Sequence, residues 1–455
     1  MRKLTFKTAS IALLFLATLQ ACSIVPVASS ARQNRLEPFI RGADYDYALP
    51  ALERASSYLV ELSNEGFSWP ALATAADTAF LEIHIAAADS PDPALVVSAG
   101  SNALKQYFEQ AGQGRRYLDV SPLLRGNVQS GDRVRLLNEG VSWETGKVTL
   151  VTFSNPPLAE RRVFVLAPHP DDAEIAAYGI YQSSVADVVT VTAGDAGGKN
   201  FDSLWIDEGE HYRAKGRIRT LDSLVVPLLA GLRPESIRNL GYYDATLLKL
   251  WQAQPGTVTP PLAALEDPAY YRSFNFDQEL RERDFESSWS ALVSDLLQEL
   301  ERIVPETIVA PHPMLDRHGD HKFAALALFE AMNQWQGEAE VLLYTNHAVG
   351  NEAYPIGPRD GMMGLPAWNA GNLHLLGLYS HPLSAEDRRR KLIALEAMHD
   401  LRPFDPRDGG EVIAINPMFD YFRRGPRPNE VFFVTDVEGA REMHRALMKL
   451  ADWMF

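Results

Sequence analysis

Two short clusters hold the residue types that hydrolytic metal chemistry requires: His169-Pro170-Asp171-Asp172 and His318-Gly319-Asp320-His321. A catalytic zinc takes three protein ligands from His and carboxylate and leaves a position for water. His169 and Asp172 offer one nitrogen and one oxygen from a tight loop. Asp171 lies between them, so it faces the bound water when its neighbours face the metal. A carboxylate there accepts a proton as the water attacks a carbonyl, and the ion lowers the pKa of that water toward neutrality. The third ligand comes from the second cluster. One of His318 and His321 binds the ion, and the other, protonated, faces the oxyanion of the tetrahedral intermediate. Asp320 is placed to orient either imidazole. Taken singly, each cluster is equally compatible with a solvated turn. Their joint occurrence at strand ends is what favours a shared site.

The elements that must position these residues follow Ser154-Asn155-Pro156-Pro157, which punctuates the chain. Residues 162–167 form an apolar strand running into His169, and residues 185–192 a second strand ending in Gly194-Asp195-Ala196-Gly197-Gly198. Helical patterns cover 210–224 and 279–303, a third strand covers 307–310 and runs into the second His cluster, and 322–330 reads as helix. Open α/β sheets place ligands at the carboxyl ends of their strands, so two motifs distant in sequence meet in one crevice. The expected fold class is α/β, a Rossmann-like three-layer catalytic domain with a mostly parallel sheet. Ahead of it, from Pro38 to Asn155, short β-type runs at 80–85, 94–98, 133–136 and 148–153 alternate with Asp, Pro, Gly and Ser clusters, which suggests a β-sandwich. Trp69 and Trp143 in that region are either core residues or exposed platforms for stacking on sugar rings.

The residues also carry a family resemblance. Ala167-Pro168-His169-Pro170-Asp171-Asp172-Ala173-Glu174 resembles the Ala-His-Pro-Asp-Asp-Glu signature of the LmbE-like (PIG-L) deacetylases, which remove acetyl groups from N-acetylglucosamine-type amides. Thr192-Ala193-Gly194-Asp195-Ala196-Gly197-Gly198 resembles the second motif of that family, and His318-Gly319-Asp320-His321 its His-Pro-Asp-His. The resemblance spans roughly residues 160–330, with the motifs in family order. It implies that His169, Asp172 and His321 are the zinc ligands, Asp171 the general base and His318 the oxyanion stabiliser, with Asp195 contacting substrate. The chain departs from the pattern at Ala173, where the family has Glu, and in lacking the Arg-Glu pair after the second motif. Trp205-Ile206-Asp207-Glu208 stands there instead, and Arg213, one turn on, is expected to supply the substrate-facing cation.

The rest of the sequence narrows the function. A net charge of −16 over 455 residues makes nucleic acid a poor partner. Gly194 to Lys199 lacks the spacing and the Ser or Thr of a phosphate loop, and no Gly-x-Ser-x-Gly elbow of a serine hydrolase occurs. His312 is expected to cap its strand or line the rim, and His347 and His381 to be hydrogen-bonded loop histidines. Arg388-Arg389-Arg390-Lys391 is expected to be the solvated face of a helix reaching Met398.

Cys22, the only cysteine, follows a basic start, an apolar stretch at 11–16 and Leu19-Gln20-Ala21. This resembles the lipobox of bacterial lipoproteins, whose cysteine carries the lipid. The expected organisation is therefore a leader over 1–21, a tether over 22–37, a β-sandwich over 38–155 that is a candidate carbohydrate-binding module, and a deacetylase domain over 156–455. The expected location is the cell envelope, at the outer membrane facing the periplasm. The expected activity is removal of an acetyl group from an N-acetylated amino sugar or polysaccharide with Zn2+ or another divalent metal. The alternative is a glycan-binding lipoprotein with a vestigial metal site.

Overall fold

The computed structural model describes residues 42–198, 207–351, 354–401 and 425–454. The leader, Cys22, the tether, Lys199, Trp205 and Ile206 lie outside the described residues. Among the described residues no helix is long and apolar enough to cross a membrane.

The N-terminal region is built from antiparallel strands: β1 (Ser56–Leu62), β2 (Gly66–Ser68), β3 (Thr78–Ala88), β4 (Ala94–Ala99), β5 (Asn102–Tyr107), β6 (Gly114–Asp119), β7 (Arg133–Glu139), β8 (Val141–Trp143) and β9 (Gly146–Phe153). One sheet runs β1-β9-β3-β6, with β8 also on β3, and a second runs β2-β7-β4-β5. Leu62, Leu81, Ile83 and Leu150 of the first share one apolar cluster with Leu95, Val97 and Val134 of the second. The strands legible in the sequence are β3, β4, β7 and β9. β6 escaped because it reads Gly-Arg-Arg-Tyr, yet Arg116 is buried there, with its guanidinium 3.8 Å from the Tyr45 ring centre and Nε 3.5 Å from Glu109. Trp69 is only 3% exposed within the shared cluster, and Trp143 packs against that cluster while donating to the Ser63 carbonyl. The exposed-platform reading is corrected for Trp69, whose indole faces inward and offers no face to a sugar, whereas Trp143 is half-buried.

Beyond residue 155 the chain is mixed α/β. Its strands are β10 (Arg162–Ala167), β11 (Val185–Thr192), β12 (Ile237–Tyr242), β13 (Thr307–Pro311), β14 (Glu340–Tyr344), β15 (Gly377–Pro382) and β16 (Asn429–Asp436), and its main helices α1 (Asp172–Ala176), α2 (Glu208–Val225), α3 (Leu247–Gln252), α4 (Trp289–Ile303), α5 (Gly319–Gln334), α6 (Ala385–Ala397) and α7 (Val437–Met454). The seven strands form one sheet ordered β12-β11-β10-β13-β14-β16-β15. The first five are parallel to one another, and β16 is antiparallel to both β14 and β15. β13 and β14 are buried along their whole length, and β10 is buried after Arg162, which is why they read as unbroken apolar runs. Phe164, Leu166 and Ile308 turn to one face, into a cluster with Trp289, Leu296 and Phe323 of α4 and α5. Val163, Val165 and Val309 turn to the other, with Ala173 of α1 and Leu395 of α6.

Two helical expectations change in detail. The stretch expected as one helix over 279–303 is broken. A short turn covers Gln278–Glu282, and α4 begins only at Trp289, because the Ser288 side chain caps it by accepting the Ala291 amide. In α6, Lys391 is not solvated: it is buried with Nζ 2.7 Å from Glu430 Oε1.

The apolar core does not stop at residue 155. Tyr47, Phe80, Tyr117 and Phe153 belong to the same cluster as the α4–α5 face of the large sheet, and the Tyr47 ring stacks on Phe433 with centroids 5.7 Å apart. Asp119, fully buried, receives the Ser380 hydroxyl at 2.6 Å and the Asn429 amide at 2.9 Å.

The topology also decides where a site can form. From β10 the chain builds outward through β11 and β12, then returns to the other flank of β10 as β13. At such a reversal the loops leaving adjacent strands diverge and open a crevice. The loop after β10 carries His169, and the loop after β13 leads into α5, whose first turn carries His321.

Candidate active site

The loop after β10 is a turn held by its own carboxylate. Asp172 Oδ2 accepts the His169 amide at 2.9 Å and then opens α1. Between them Asp171 has φ +111°, a left-handed conformation that strains a residue with a Cβ by about 1–3 kcal/mol. The result is a division of side chains. His169 and Asp172 turn toward the β13 loop, and Asp171 turns toward α2.

Three donor atoms meet where the loops converge. His169 Nδ1 lies 3.2 Å from Asp172 Oδ2 and 3.2 Å from His321 Nε2, and Asp172 Oδ2 lies 3.1 Å from His321 Nε2. Ligands bound at catalytic-zinc distances in tetrahedral geometry sit about 3.3 Å apart, so this triangle has the edge length that a small divalent ion requires. A looser grouping brings ligand atoms of His169, His318 and His321 within 4.8 Å of one another, and another does so for His169, Asp244 and Asp320. We favour the tighter triangle because it mixes nitrogen and oxygen donors and leaves His318 over.

Hydrogen bonds outside the triangle set its tautomers. Asp316 Oδ2 receives His321 Nδ1 at 3.0 Å, and because a carboxylate only accepts, the hydrogen sits on Nδ1 and Nε2 is turned to the triangle. Asp316 also accepts the amides of His318 (2.9 Å), Asn346 (2.9 Å) and His347 (3.1 Å). Burial opposes its ionisation, but His321 beside it holds the carboxyl down at about 2. Asn346 Nδ2 donates to Asp172 Oδ1 at 2.8 Å, which leaves Oδ2 for the triangle. His169 Nε2 faces Asp244 Oδ1 at 3.1 Å and Asp320 Oδ2 at 3.4 Å. Burial disfavours charge on His169 and His321, yet Asp244 and Asp172 outweigh it and raise both imidazoles. The donors therefore sit in a field that favours positive charge, as a cation site needs.

His318 lies beside the triangle, its ring 4.8 Å from those of His169 and His321, and its buried Nδ1 has no hydrogen-bond partner among the described residues. Burial, with His169 and His321 nearby, pulls it down to about 3. Burial and its imidazole neighbours thus favour the neutral ring, which still carries one N–H. His347 joins this group, 5.2 Å from His318. His312 is fully buried, its Nδ1 accepting the Met314 amide, and His381 meets the Tyr379 hydroxyl at 2.9 Å on β15.

Three expected residues land elsewhere. Asp320 orients neither His318 nor His321. It accepts the amides of Ala245 and Leu247 ahead of and at the start of α3 and reaches His169. Asp195 has no exposed surface; its Oδ1 accepts the Asp244 amide at 2.8 Å, so it lies under the crevice and positions Asp244. Burial pushes its carboxyl up to about 7. Arg213 is half-buried on α2 and makes no contact with the triangle, while two buried cations further along α2 do reach the site. Lys215 donates to the carbonyls of Ala196 (2.8 Å) and Gly198 (2.9 Å), pinning the loop after β11. Arg219 donates to the Pro170 carbonyl at 2.8 Å and to Asp171 Oδ2 at 2.9 Å.

Sequence reading missed Arg219, Asp244, Asp316 and Asn346. Each is a single polar residue outside the quoted motifs. Only Asp316, five residues before His321, lay near enough to a motif to be noticed.

A buried cluster of two histidines and one aspartate at a sheet reversal, able to hold a metal ion and with a further carboxylate and imidazole beside it, has the make-up of a metal-assisted hydrolase. Residues 164–332, from within β10 to within α5, match the sequence profile of PIG-L, the GlcNAc-PI de-N-acetylases. The chain thus carries a PIG-L (LmbE-like) de-N-acetylase domain and is an N-deacetylase hydrolase. No curated protein sequence matches it. Among solved structures, the zinc-inhibited form of teicoplanin deacetylase Orf2 aligns at 14% identity and TM-score 0.35 over 60% of this chain and 98% of its own. The N,N'-diacetylchitobiose deacetylase of Pyrococcus horikoshii aligns at 18% identity and TM-score 0.33 over 60% and 84%. The 4-carboxy-2-hydroxymuconate hydratase GalB of Pseudomonas putida aligns at 12% and 0.31 over 61% and 96%.

Proposed function

We propose that this protein hydrolyses the acetamide of an N-acetylated amino sugar in an envelope or exported glycan, with zinc held by His169, Asp172 and His321. The observation that carries the reading is the donor triangle of 3.1–3.2 Å edges, with Asp171, next to Asp172 in the chain, not one of its corners and held instead by Arg219. The bound ion would supply Lewis-acid polarisation and a water acidic enough to attack near neutral pH. Asp171 is the carboxylate that takes the proton of the attacking water as its oxygen bonds to the acetyl carbon. His318 offers its N–H to the oxygen on which negative charge develops. Asp171 then returns the proton to the amide nitrogen as the carbon–nitrogen bond breaks, giving acetate and a free amine.

Around this centre we read the seven-stranded sheet as a Rossmann-like three-layer domain, supported by the strand reversal at β10 and apolar clusters on both faces. We read the two antiparallel sheets as a β-sandwich, supported by their shared cluster. The lipobox-like residues before Cys22 support an envelope lipoprotein facing the periplasm. A glycan-binding protein with a vestigial site is the weaker reading, because Trp69 faces inward and Asp171 is retained.

The test is acetate release across a panel of N-acetylated amino sugars and oligosaccharides, with the metal measured in the same preparation. Turnover should follow zinc content and vanish to a small residue in Asp171→Asn with the metal retained. Bound metal without acetate release from any panel member would sink the substrate reading. Full turnover by Asp171→Asn would sink the base assignment.

A further inference from the structure

We infer that Arg219 is a positioning residue for this reaction: it holds the base Asp171 by one carboxylate oxygen and leaves the other to take the proton. The inference rests on Asp171 being the base, as proposed above.

The geometry points to Arg219 through four features. First, one guanidinium nitrogen, Nη2, binds both sides of the strained residue, the Pro170 carbonyl before it and Asp171 Oδ2 on its side chain. A left-handed Asp is costly, and a donor shared between its preceding carbonyl and its own carboxylate locks that conformation. Second, among the described residues Asp171 Oδ1 has no hydrogen-bond partner. The two oxygens are therefore inequivalent, one neutralised by a cation and one free. Third, the guanidinium is itself fixed. Nη1 reaches the Gly194 carbonyl and Asp400 Oδ2, each at 3.4 Å, and Asp244 Oδ2 at 3.9 Å. Asp244 in turn faces His169 Nε2, so one carboxylate ties the arginine to a proposed ligand. Fourth, the surface it lies against is made by a glycine. Gly194 has φ +67°, and a Cβ there would fall 2.6 Å from Arg219 Nη1. Any side chain at 194 would push the guanidinium off the loop.

A purely structural role, neutralising buried Asp171 and Asp244 and half-buried Asp400, is the competing account. It predicts losses of stability that are independent of what Asp171 does. Positioning predicts coupling to Asp171 alone. Lys215 anchors the loop after β11 by two shorter bonds, to Ala196 and Gly198, so that loop does not depend on the single 3.4 Å contact of Arg219 with Gly194.

The experiment is a double-mutant cycle on the metal-loaded protein with the best substrate of the panel. Arg219→Ala should lower kcat about 100-fold, the scale for displacing a catalytic group by about 1 Å, with KM within about twofold and metal content unchanged. In an Asp171→Asn background the same substitution should change the residual kcat by less than about twofold, since residues acting as a unit are non-additive. Arg219→Lys keeps the charge but lacks the planar fork, and should lose about tenfold in kcat. If Arg219→Ala does not fold, the cycle is run with Arg219→Lys. An additive loss in the double variant, an unchanged kcat, or a raised KM with kcat intact would each overturn the inference while leaving the base assignment standing. Full activity of Asp171→Asn alone would remove both.

Discussion

Asp316 and His321 form a carboxylate–imidazole pair, Oδ2 to Nδ1 at 3.0 Å, in which the carboxylate fixes which ring nitrogen looks into the donor triangle. The same carboxylate holds three backbone amides of the two loops that frame the site. Metal affinity and loop structure therefore depend on one residue. Partners of this kind are worth about 10–100-fold in metal affinity. Asp316→Asn should weaken zinc binding by that factor in a chelator competition, and Asp316→Ala should lower the melting temperature as well, because it leaves buried amides unsatisfied. An affinity unchanged in Asp316→Asn would mean that the tautomer of His321 is set some other way.

The two histidines of the second motif should separate cleanly. His321→Ala removes a corner of the triangle and should abolish stoichiometric metal. His318→Ala should keep the metal and lose about 100-fold in kcat, the scale for one oxyanion donor. Metal analysis beside steady-state kinetics checks both, and the reverse pattern would exchange their roles.

Gly194 offers a test at a distance from the chemistry. Gly194→Ala must strain a positive φ and displace the Arg219 guanidinium. Turnover should fall by roughly tenfold or more with metal content intact. Normal kcat in this variant would show that the arginine tolerates displacement.

Glu174, buried two residues after Asp172, carries a pH signature. Burial pushes its carboxyl up to about 8, well above the usual carboxylate range, although the Tyr181 hydroxyl donates to it. A carboxyl raised in the fold stays protonated there while the unfolded chain has released its proton, so its contribution is fully present below about 4.5 and is lost as pH rises to about 8. Glu174→Gln is neutral in both states and should remove this slope. Thermal unfolding of chelator-treated protein from pH 5 to 9 should show the variant gaining on the wild type with rising pH. A gap that does not change with pH would show that Glu174 is ionised in the fold.

The shared core across residue 155 predicts that the catalytic region is not autonomous. A chain beginning at 156 would expose Phe433 and the Ser380 and Asn429 partners of Asp119. It should be insoluble or lack a cooperative transition, whereas a soluble, cooperatively folding product would make the contact a simple docking of two independent domains.

What the sequence determined by itself was the local chemistry. His169, Asp171, Asp172, His318 and His321 stand in short motifs at the ends of apolar runs, and spacing along a chain is enough to show that such residues share a loop. The strands β10, β11 and β13 were legible for the same reason, since burial on both faces leaves an unbroken apolar signature. The tertiary structure alone decided what supports that chemistry. Arg219 reaches Asp171, and Asp316 rather than Asp320 orients His321. Asp195 works from beneath through Asp244. These are single residues brought together from α2 and from the segments after β12 and β13, and no periodicity marks them. Nor could sequence show that Trp69 turns inward or that the core runs through residue 155, because which face of a strand is covered depends on the sheet that packs against it. The motifs name the reacting groups and the donors, and the reversal of strand order at β10 brings His169 and His321 of the two motifs within 3.2 Å of each other.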